Sequence, residues 1–422
     1  MIINCRPRRL ATRLRLVAVT AATSLAVTAC VWGSVIGIAG AEPDTTTAPS
    51  AEGAAPSTTS PATTSPTTPS TATGTTANQR PGMVYANREA ARSAASVGAG
   101  KGNQFTYWTT GADGQAHLST GALYLPRAKA PRGGYPVVAW AHGSRGIADA
   151  CAPSVRPTQL DIETIRSWLS RGYAVVSTDY AGLGTAGTPQ YFDLATTAGN
   201  IVDAVTAGHD ISDELSRKWV VVGEGQGASA AIQLGHGGAT EPGALDFRGS
   251  AATSIPAEFA SLVATLGPAA TFAPPAGWIV EALYTLGAIN NAHPEIGLDD
   301  YLSASGRQWL TKASTQCSAD LTRAVSGVSV GSLFAKPLSG NSALNELLSG
   351  ASSLPTTGFS EPVLMTQTLQ DQSVVVPMTL KYLNEANSDA QVDARTYLTL
   401  DGTAAAKSAA SDTRAFVTRV MR

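Results

Sequence analysis

The sequence has few of the residues that metal sites and nucleic-acid interfaces require. Its 422 residues include only five His and four Cys, and 29 Lys and Arg stand against 31 Asp and Glu, for a net charge of -2. We find no zinc-type Cys/His spacing, no P-loop, no internal repeat and no heptad run. Phosphate neutralisation needs clustered Lys and Arg. We therefore expect no nucleic-acid partner, no metal and no other cofactor.

The first 41 residues have the pattern of an export signal. Basic residues between Arg6 and Arg15 precede a stretch, 16–41, that carries no charge. Three fates of this segment stay open. They are cleavage after Ala39-Gly40-Ala41, which we favour, acylation of Cys30, and retention as an anchor that spans a bilayer of about 30 Å. We expect a secreted or cell-envelope protein, and association with a membrane or cell wall through the N-terminus is one of the alternatives.

Residues 42–80 consist almost entirely of Thr, Ser, Pro, Ala and Gly. Such a segment has no large apolar side chains to offset the entropy of ordering, so we predict a disordered linker. From residue 81 to 422, short β-branched runs alternate with helical stretches, a pattern that predicts an α/β domain. A mostly helical insertion at about 256–355 has the size of a cap.

Three continuous hydrophobic runs are typical of parallel strands that are buried on both faces. They are Val137–Trp140, Tyr173–Ser177 and Trp219–Val222. We also predict an antiparallel hairpin from Phe105 to Leu125, helices at Leu160–Arg171 and Gly199–Gly208, and further strands at 247–254, 362–366 and 392–400.

Each of the three runs leads into a glycine-containing turn. The turns are Ala141-His142-Gly143-Ser144-Arg145-Gly146 with Cys151-Ala152-Pro153-Ser154 beyond it, Thr178-Asp179-Tyr180-Ala181-Gly182-Leu183-Gly184-Thr185, and Gly223-Glu224-Gly225-Gln226-Gly227. Ligands of open parallel sheets bind at the carboxyl ends of strands. The sequence therefore predicts that these turns line the functional site.

These turns, with Asp371-Gln372-Ser373-Val374-Val375-Val376-Pro377 after them, make the sequence resemble the secretory lipase family of α/β-hydrolases. These are lipases of bacteria and yeasts that carry a helical cap. The motifs occur in the family's order over roughly residues 82–420. The resemblance implies an α/β-hydrolase fold with a mostly parallel sheet, flanking helices and a cap, and a triacylglycerol lipase or carboxylesterase activity in lipid catabolism.

Two cysteines, Cys151 and Cys317, remain after the leader. An even pair in an exported protein is usually bridged. The resemblance implies the same disulfide, because family members have a bridge between this loop and the cap. We therefore expect a bond that ties the loop after the first strand to the cap.

Two of the three residues of the family's catalytic triad are replaced. Gly225 stands where the nucleophilic Ser of G-x-S-x-G belongs, although both framing glycines are kept. In this fold the triad His follows the acid along the chain, and no His follows Asp371, which stands at the acid position. The five histidines are His117, His142, His209, His236 and His293. Asp371 is thus expected to be an orphaned acid.

The sequence therefore predicts a pseudoenzyme. The backbone N–H groups of Gln226 and of the loop near Ser144 are expected to keep an oxyanion hole. Under the cap, a pocket should bind an acyl lipid or ester without cleaving it. Its floor is expected to consist of Asp179, Tyr180, Gln226 and the loop His142, Gly143 and Ser144.

Two other hypotheses stay open. One is an active lipase or esterase with an unrecognised nucleophile, for which His142 and Ser144 form the only close couple of base and hydroxyl. The other is a non-enzymatic envelope protein that binds another protein.

Overall fold

The computed structural model describes residues 79–422, except 188, 190, 192, 238–244 and 352. The predicted leader, 1–41, and all but the end of the predicted linker lie outside the described residues. Among the described helices, none is both long and apolar enough to cross a membrane.

Nine strands form one sheet in the order β1-β2-β3-β5-β4-β6-β7-β8-β9. The strands are β1 (Val84–Glu89), β2 (Lys101–Thr110), β3 (Ala116–Leu125), β4 (Tyr135–Ala141), β5 (Ala174–Thr178), β6 (Leu215–Glu224), β7 (Asp246–Thr253), β8 (Val363–Thr368) and β9 (Val392–Tyr397). The strands from β5 to β9 in this order run parallel, whereas β1, β2 and β3 pair antiparallel. The predicted α/β class with a mostly parallel sheet is confirmed.

Helices cover both faces of the sheet and fill the interval between β7 and β8. They are α1 (Ala91–Val97), α2 (Gln159–Leu169), α3 (Leu194–Ile211), α4 (Gln226–Gly237), α5 (Phe259–Ala264), α6 (Ala276–Ala292), α7 (Ala304–Ala313), α8 (Ser318–Ala324), α9 (Ser342–Ala351), α10 (Val376–Ala386) and α11 (Gly402–Val420). Helices α5 to α9 share a hydrophobic core of their own, with Tyr284, Leu286 and Ile289 at its centre.

The buried strands alternate their side chains between two cores. Val137 and Val221 pack against α3 and α4 on one face. Trp140 and Val222 pack with α2 and α11 on the other face. This alternation follows from the two-residue repeat of a strand, and it explains why the sequence shows continuous hydrophobic runs rather than alternating ones.

One strand and two element boundaries differ from the sequence-based expectation. Strand β1 was not predicted, because it is an edge strand whose side chains are mostly exposed. Helix α3 begins before Gly199, since the Asp193 side chain caps it by accepting from the N–H of Thr196. The predicted strand 392–400 ends at Tyr397, because Asp401 caps α11 through the N–H groups of Thr403 and Ala404.

Two glycines allow α4 to approach the ends of β4 and β6 closely. A Cβ atom built on Gly223 would lie 2.1 Å from the carbonyl oxygen of Gly227. One built on Gly227 would lie 2.0 Å from the carbonyl oxygen of Ala141. Both atoms are backbone, which cannot move aside as a side chain can. Glycine is therefore required at both positions for the sheet and the helix to meet.

This requirement gives a stability prediction. We expect Gly227→Ala to lower the free energy of unfolding by about 1–3 kcal/mol or more, because the added methyl group overpacks a backbone contact. Gly199→Ala is the matched control, since Gly199 is an exposed position within α3 with no atom within 4 Å of a built Cβ. It should raise stability by about 0.5–1 kcal/mol. Urea denaturation measures both; equal effects would contradict the packing argument.

Candidate functional site

Gly225 forms the turn between β6 and α4 at a left-handed φ of +55°. A Cβ atom built there would meet Cα of Gly143 at 3.5 Å and the backbone nitrogen of Ser144 at 4.0 Å. These are ordinary contact distances, so the turn has space for a side chain. A non-glycine residue at such a φ costs about 1–3 kcal/mol, whereas glycine adopts it without strain. The turn thus combines a positive φ with space for a side chain at a position that glycine occupies.

The loop that faces Gly225 begins at the carboxyl end of β4. It places the backbone nitrogen of Ser144 4.0 Å from a Cβ built on Gly225. Gln226, the other predicted donor, is the first residue of α4 and is buried. The structure therefore places Gly143, Ser144, Gly225 and Gln226 near one another. A chemical role for them stays a prediction.

A buried ion pair fixes this loop. The Arg145 guanidinium donates to Asp161 on α2 through Nε at 3.2 Å and Nη2 at 2.9 Å, and Nη2 lies 3.5 Å from Oε2 of Glu224. The Trp140 indole also donates to Asp161, at 2.9 Å. Burial by itself raises the pKa of the Asp161 carboxyl, but hydrogen bonds from Arg145 and Thr158 outweigh burial and hold the pKa well below its ordinary value.

Helix α6 lies against the same loop through Glu281. Its Oε1 accepts from the Ser144 hydroxyl at 3.0 Å, and its Oε2 accepts from the Tyr191 hydroxyl at 2.9 Å. Burial raises the pKa of the Glu281 carboxyl. On the same helix, the Trp278 indole donates to the carbonyl of Val374 at 3.1 Å. Helix α6 thus contacts the loops after both β4 and β8.

The sequence gives Arg145 only as part of the first turn, without its ion-pair role, and does not single out Glu281. Glu281 is the single charged residue of α6, whose other residues are apolar or uncharged. A single charged residue on an apolar helix indicates a buried, hydrogen-bonded side chain, because a buried charge needs hydrogen-bond partners. No comparable signal marks Arg145, whose partner Asp161 also takes part in the capping box of α2.

Asp179 and Tyr180 lie deeper than the predicted pocket floor. The Asp179 carboxylate is fully buried and accepts from the Ser154 N–H at 2.8 Å, the Thr120 hydroxyl at 2.7 Å and the Ser154 hydroxyl. Burial raises its pKa to about 6. The Tyr180 hydroxyl donates to the carbonyl of His142 at 3.0 Å. Both side chains hold the strand-end turns together, and neither lines the large cavity described below.

His142 and Ser144 do not form a couple. The Nδ1 of His142 lies 2.7 Å from the carbonyl oxygen of Gly143, and its ring stacks on Tyr180 with centroids 4.4 Å apart. Burial, with Arg145 nearby, lowers the pKa of His142 to about 4. The hydroxyl of Ser144 donates to Glu281 instead. The imidazole therefore does not serve as a base for this hydroxyl.

Asp371 lies on the loop after β8. One carboxylate oxygen accepts from the N–H and the hydroxyl of Ser373 at 2.9 and 2.6 Å, and the other accepts from Nε2 of Gln367 at 3.2 Å. Opposite this loop α11 begins, where a Cβ built on Gly402 would lie 3.4 Å from Cβ of Gln370. Asp371 and Gly402 line one cavity. The contacts of Asp371 involve no imidazole.

That cavity has a volume of about 820 Å³ and lies between α2 and α11. Glu224, Asp371 and Gly402 line it, whereas Gly225 and Gln226 do not. The sequence analysis placed the binding space under the cap and did not predict this groove. Within the part of the chain that the structure describes, no group of three or more His, Cys, Asp or Glu could hold a metal ion.

The disulfide joins Cys151 to Cys317 across 166 positions of the chain. Cys317 immediately precedes α8, whose first residue, Ser318, donates its N–H to the carbonyl of Arg145 at 2.9 Å. The loop that faces Gly225 is therefore tied to the helices between β7 and β8 by a covalent bond and by a backbone hydrogen bond.

Comparison with solved structures finds lipases and esterases. Candida antarctica lipase A in its closed state aligns with a TM-score of 0.60 at 19% identity, over 76% of this chain and 77% of that chain. The ligand-bound rice cell wall degrading esterase LipA from Xanthomonas oryzae gives 0.62 at 20% identity, over 77% and 93%. A putative hydrolase from Legionella pneumophila gives 0.58 at 16%, over 74% and 92%.

No family model and no curated protein sequence matches the chain. These three likenesses are below 25% identity, so they show the fold and nothing about activity. The chain has the α/β-hydrolase fold that these solved lipases and esterases share.

The buried ion pair gives a prediction of pH-dependent stability. Asp161→Asn should lower the free energy of unfolding by about 3–5 kcal/mol at pH 7, because it leaves the buried Arg145 without its main partner. The native pKa of Asp161 is depressed, so its contribution is complete above the unfolded pKa of about 4 and is lost as the pH falls below that value. Urea titrations at pH 7, 5 and 3 should show the difference shrinking at pH 3; a constant difference would refute the assignment.

Proposed function

We propose that this protein is a lipase-like α/β-hydrolase that binds an acyl lipid or ester without hydrolysing it. The observation that carries the proposal is Gly225. It has the positive φ of a nucleophile turn and space for a side chain, yet it offers no atom that can attack a carbonyl carbon. The framing Gly223 and Gly227 retain the close packing that the turn requires.

The surroundings of Asp371 support the same proposal. Its carboxylate accepts from Ser373 and Gln367, whereas a triad acid orients an imidazole. Loss of the nucleophile alone costs on the order of a million-fold in turnover. Oxyanion binding and substrate binding alone leave about 10³ to 10⁴ over water.

Glu281 adds an electrostatic argument. Its carboxyl group accepts from Ser144, whose N–H belongs to the predicted oxyanion hole. An oxyanion hole stabilises negative charge as it develops in the transition state. When the Glu281 carboxyl is ionised it opposes that charge, since two negative charges repel strongly where water is excluded. In this arrangement the turn favours binding of a neutral acyl group over hydrolysis.

The Ser144–Glu281 contact also defines the alternative, an esterase with an unrecognised nucleophile. A carboxylate at 3.0 Å from a hydroxyl is within reach to act as its base. In that case a fluorophosphonate would label Ser144 in the unmodified protein, and Glu281→Gln would abolish the labelling.

We further infer that the protein acts outside the cytoplasm. The arginine-rich leader, the Thr/Ser/Pro-rich linker and the Cys151–Cys317 disulfide support export. The proposed domain organisation has a leader at 1–41, a linker at 42–80, and a hydrolase-like domain with a cap at about 256–355. At the N-terminus, the proposal includes three alternatives: a cleaved leader, an acylated Cys30 or a retained membrane anchor.

Restoration of two residues tests the proposal. We expect the wild type and Gly225→Ser to hydrolyse p-nitrophenyl esters at background, because triad members act as a unit. The double variant Gly225→Ser, Gly402→His should exceed either single variant at least about tenfold. Position 402 is chosen because its Cβ would lie beside Gln370, next to Asp371. A His at position 401 would instead remove the side chain that caps α11.

The matched control is Gly225→Ala, Gly402→His, which fills the same space without a nucleophile. Its rate should equal the wild-type background. Hydrolysis by the wild type well above background, blocked by a serine-directed fluorophosphonate, would overturn the proposal, and the labelled residue would identify the nucleophile.

A further inference from the structure

The groove between α2 and α11 is separate from the turn at Gly225. It opens on the sheet face that carries Trp140 and Val222, on the opposite side from α3 and α4. Its volume of about 820 Å³ lies within the range of small-molecule sites, about 300–1,000 Å³. The triad repair proposed above reaches one end of this space, at Asp371 and Gly402, whereas the predicted oxyanion-hole donors Ser144 and Gln226 do not line it.

Apolar side chains form the base and one wall of the groove. Trp140 and Val222 come from the sheet, and Trp168 comes from α2. Leu160, at the start of α2, lines the groove and is 45% exposed. Ala410 lines the opposite wall, from α11. An apolar ligand here would remove the Leu160 side chain from water, which is favourable in proportion to the area covered.

Charge changes sign along the groove. Helices α2 and α11 both begin at the carboxyl edge of the parallel strands and run in the same direction. Glu224 and Asp371 lie at that edge, with Gly402. Arg414 lies twelve residues further along α11, about 18 Å at 1.5 Å per residue. The groove therefore has an acidic end and a basic end.

The positive charges toward the basic end are not neutralised by ion pairs. Among the described residues, no carboxylate forms an ion pair with Arg414 or Lys407. Lys407 lies one to two turns into α11, and Glu163 on α2 lines the groove too. Glu163 and Lys407 carry opposite charges, so together they add no net charge to the lining of the groove. Arg414 remains the uncompensated charge, and its guanidinium suits a carboxylate or phosphate.

We propose that the α2–α11 groove binds a single-chain amphiphile with an anionic headgroup. The headgroup lies at Arg414, and the chain runs over Trp168 and Trp140 toward Leu160. Repulsion from Glu224 and Asp371 excludes the reverse orientation. The groove length of about 18 Å suits one acyl chain, since each leaflet contributes about 15 Å to a bilayer core of about 30 Å. The proposal specifies the ligand of the binder proposed above and rests on it.

The test measures binding of oleate, 1-oleoyl lysophosphatidate and oleyl alcohol to the full-length protein, below their aggregation concentrations, by tryptophan fluorescence and calorimetry. Arg414→Gln should weaken oleate or lysophosphatidate about tenfold or more, and leave the uncharged alcohol unaffected. Whichever anion binds tighter to the wild type identifies the headgroup. Ala410→Trp should weaken all three ligands, because it narrows the groove without changing its charge.

Arg419→Gln is the matched control, because Arg419 is on the same helix, stacks on Phe416 and does not line the groove. It should bind all three ligands as the wild type does. Binding of oleate and lysophosphatidate that Arg414→Gln and Ala410→Trp leave unchanged, or no saturable binding by the wild type, would overturn the proposal. None of the probes is a p-nitrophenyl ester, so this result is independent of the esterase assay that tests the proposed function.

Discussion

The contact between the backbone of α4 and the ends of β4 and β6 is the constraint on which the site depends. Gly223 and Gly227 permit it, with built Cβ atoms at 2.1 and 2.0 Å from backbone oxygens. This packing fixes the turn between them at a positive φ whatever residue occupies position 225. A serine there would be strained, and the glycine is not. The turn can therefore keep its conformation without a nucleophilic serine, the residue whose backbone strain this turn usually imposes.

The same constraint explains the other groups around the turn. In the proposed binder no oxyanion forms, so nothing requires a positive potential near Ser144, and a carboxyl group from α6 accepts its hydroxyl. Burial raises the pKa of both Glu224 and Glu281, since desolvation penalises the ionised form. Arg145 offsets part of that penalty for Glu224 while it is held by Asp161. The ion pair thus supports the loop rather than a reaction.

Much of the fold could be predicted from sequence, because β4, β5 and β6 are buried on both faces and appear as continuous hydrophobic runs. The edge strand β1 has no such run. That ligands bind at the carboxyl ends of parallel strands predicts where the turns lie, but not how deeply their side chains are buried. Asp179 was therefore expected on a pocket floor. In the structure it is a buried acceptor for Ser154 and Thr120. The groove between α2 and α11 depends on helix spacing, which no local pattern encodes.

Helix α6 packs closely on the loops at the strand ends. Glu281 accepts from Ser144 and Trp278 donates to the carbonyl of Val374, so α6 is held against the loops after β4 and β8. An enzyme must admit its ester to the turn at Gly225, but a binder need not. In the proposed binder, binding free energy does not have to place a carbonyl carbon beside residue 225. A space between α2 and α11, bounded by Asp371 at one end and Arg414 at the other, meets the requirement of binding alone.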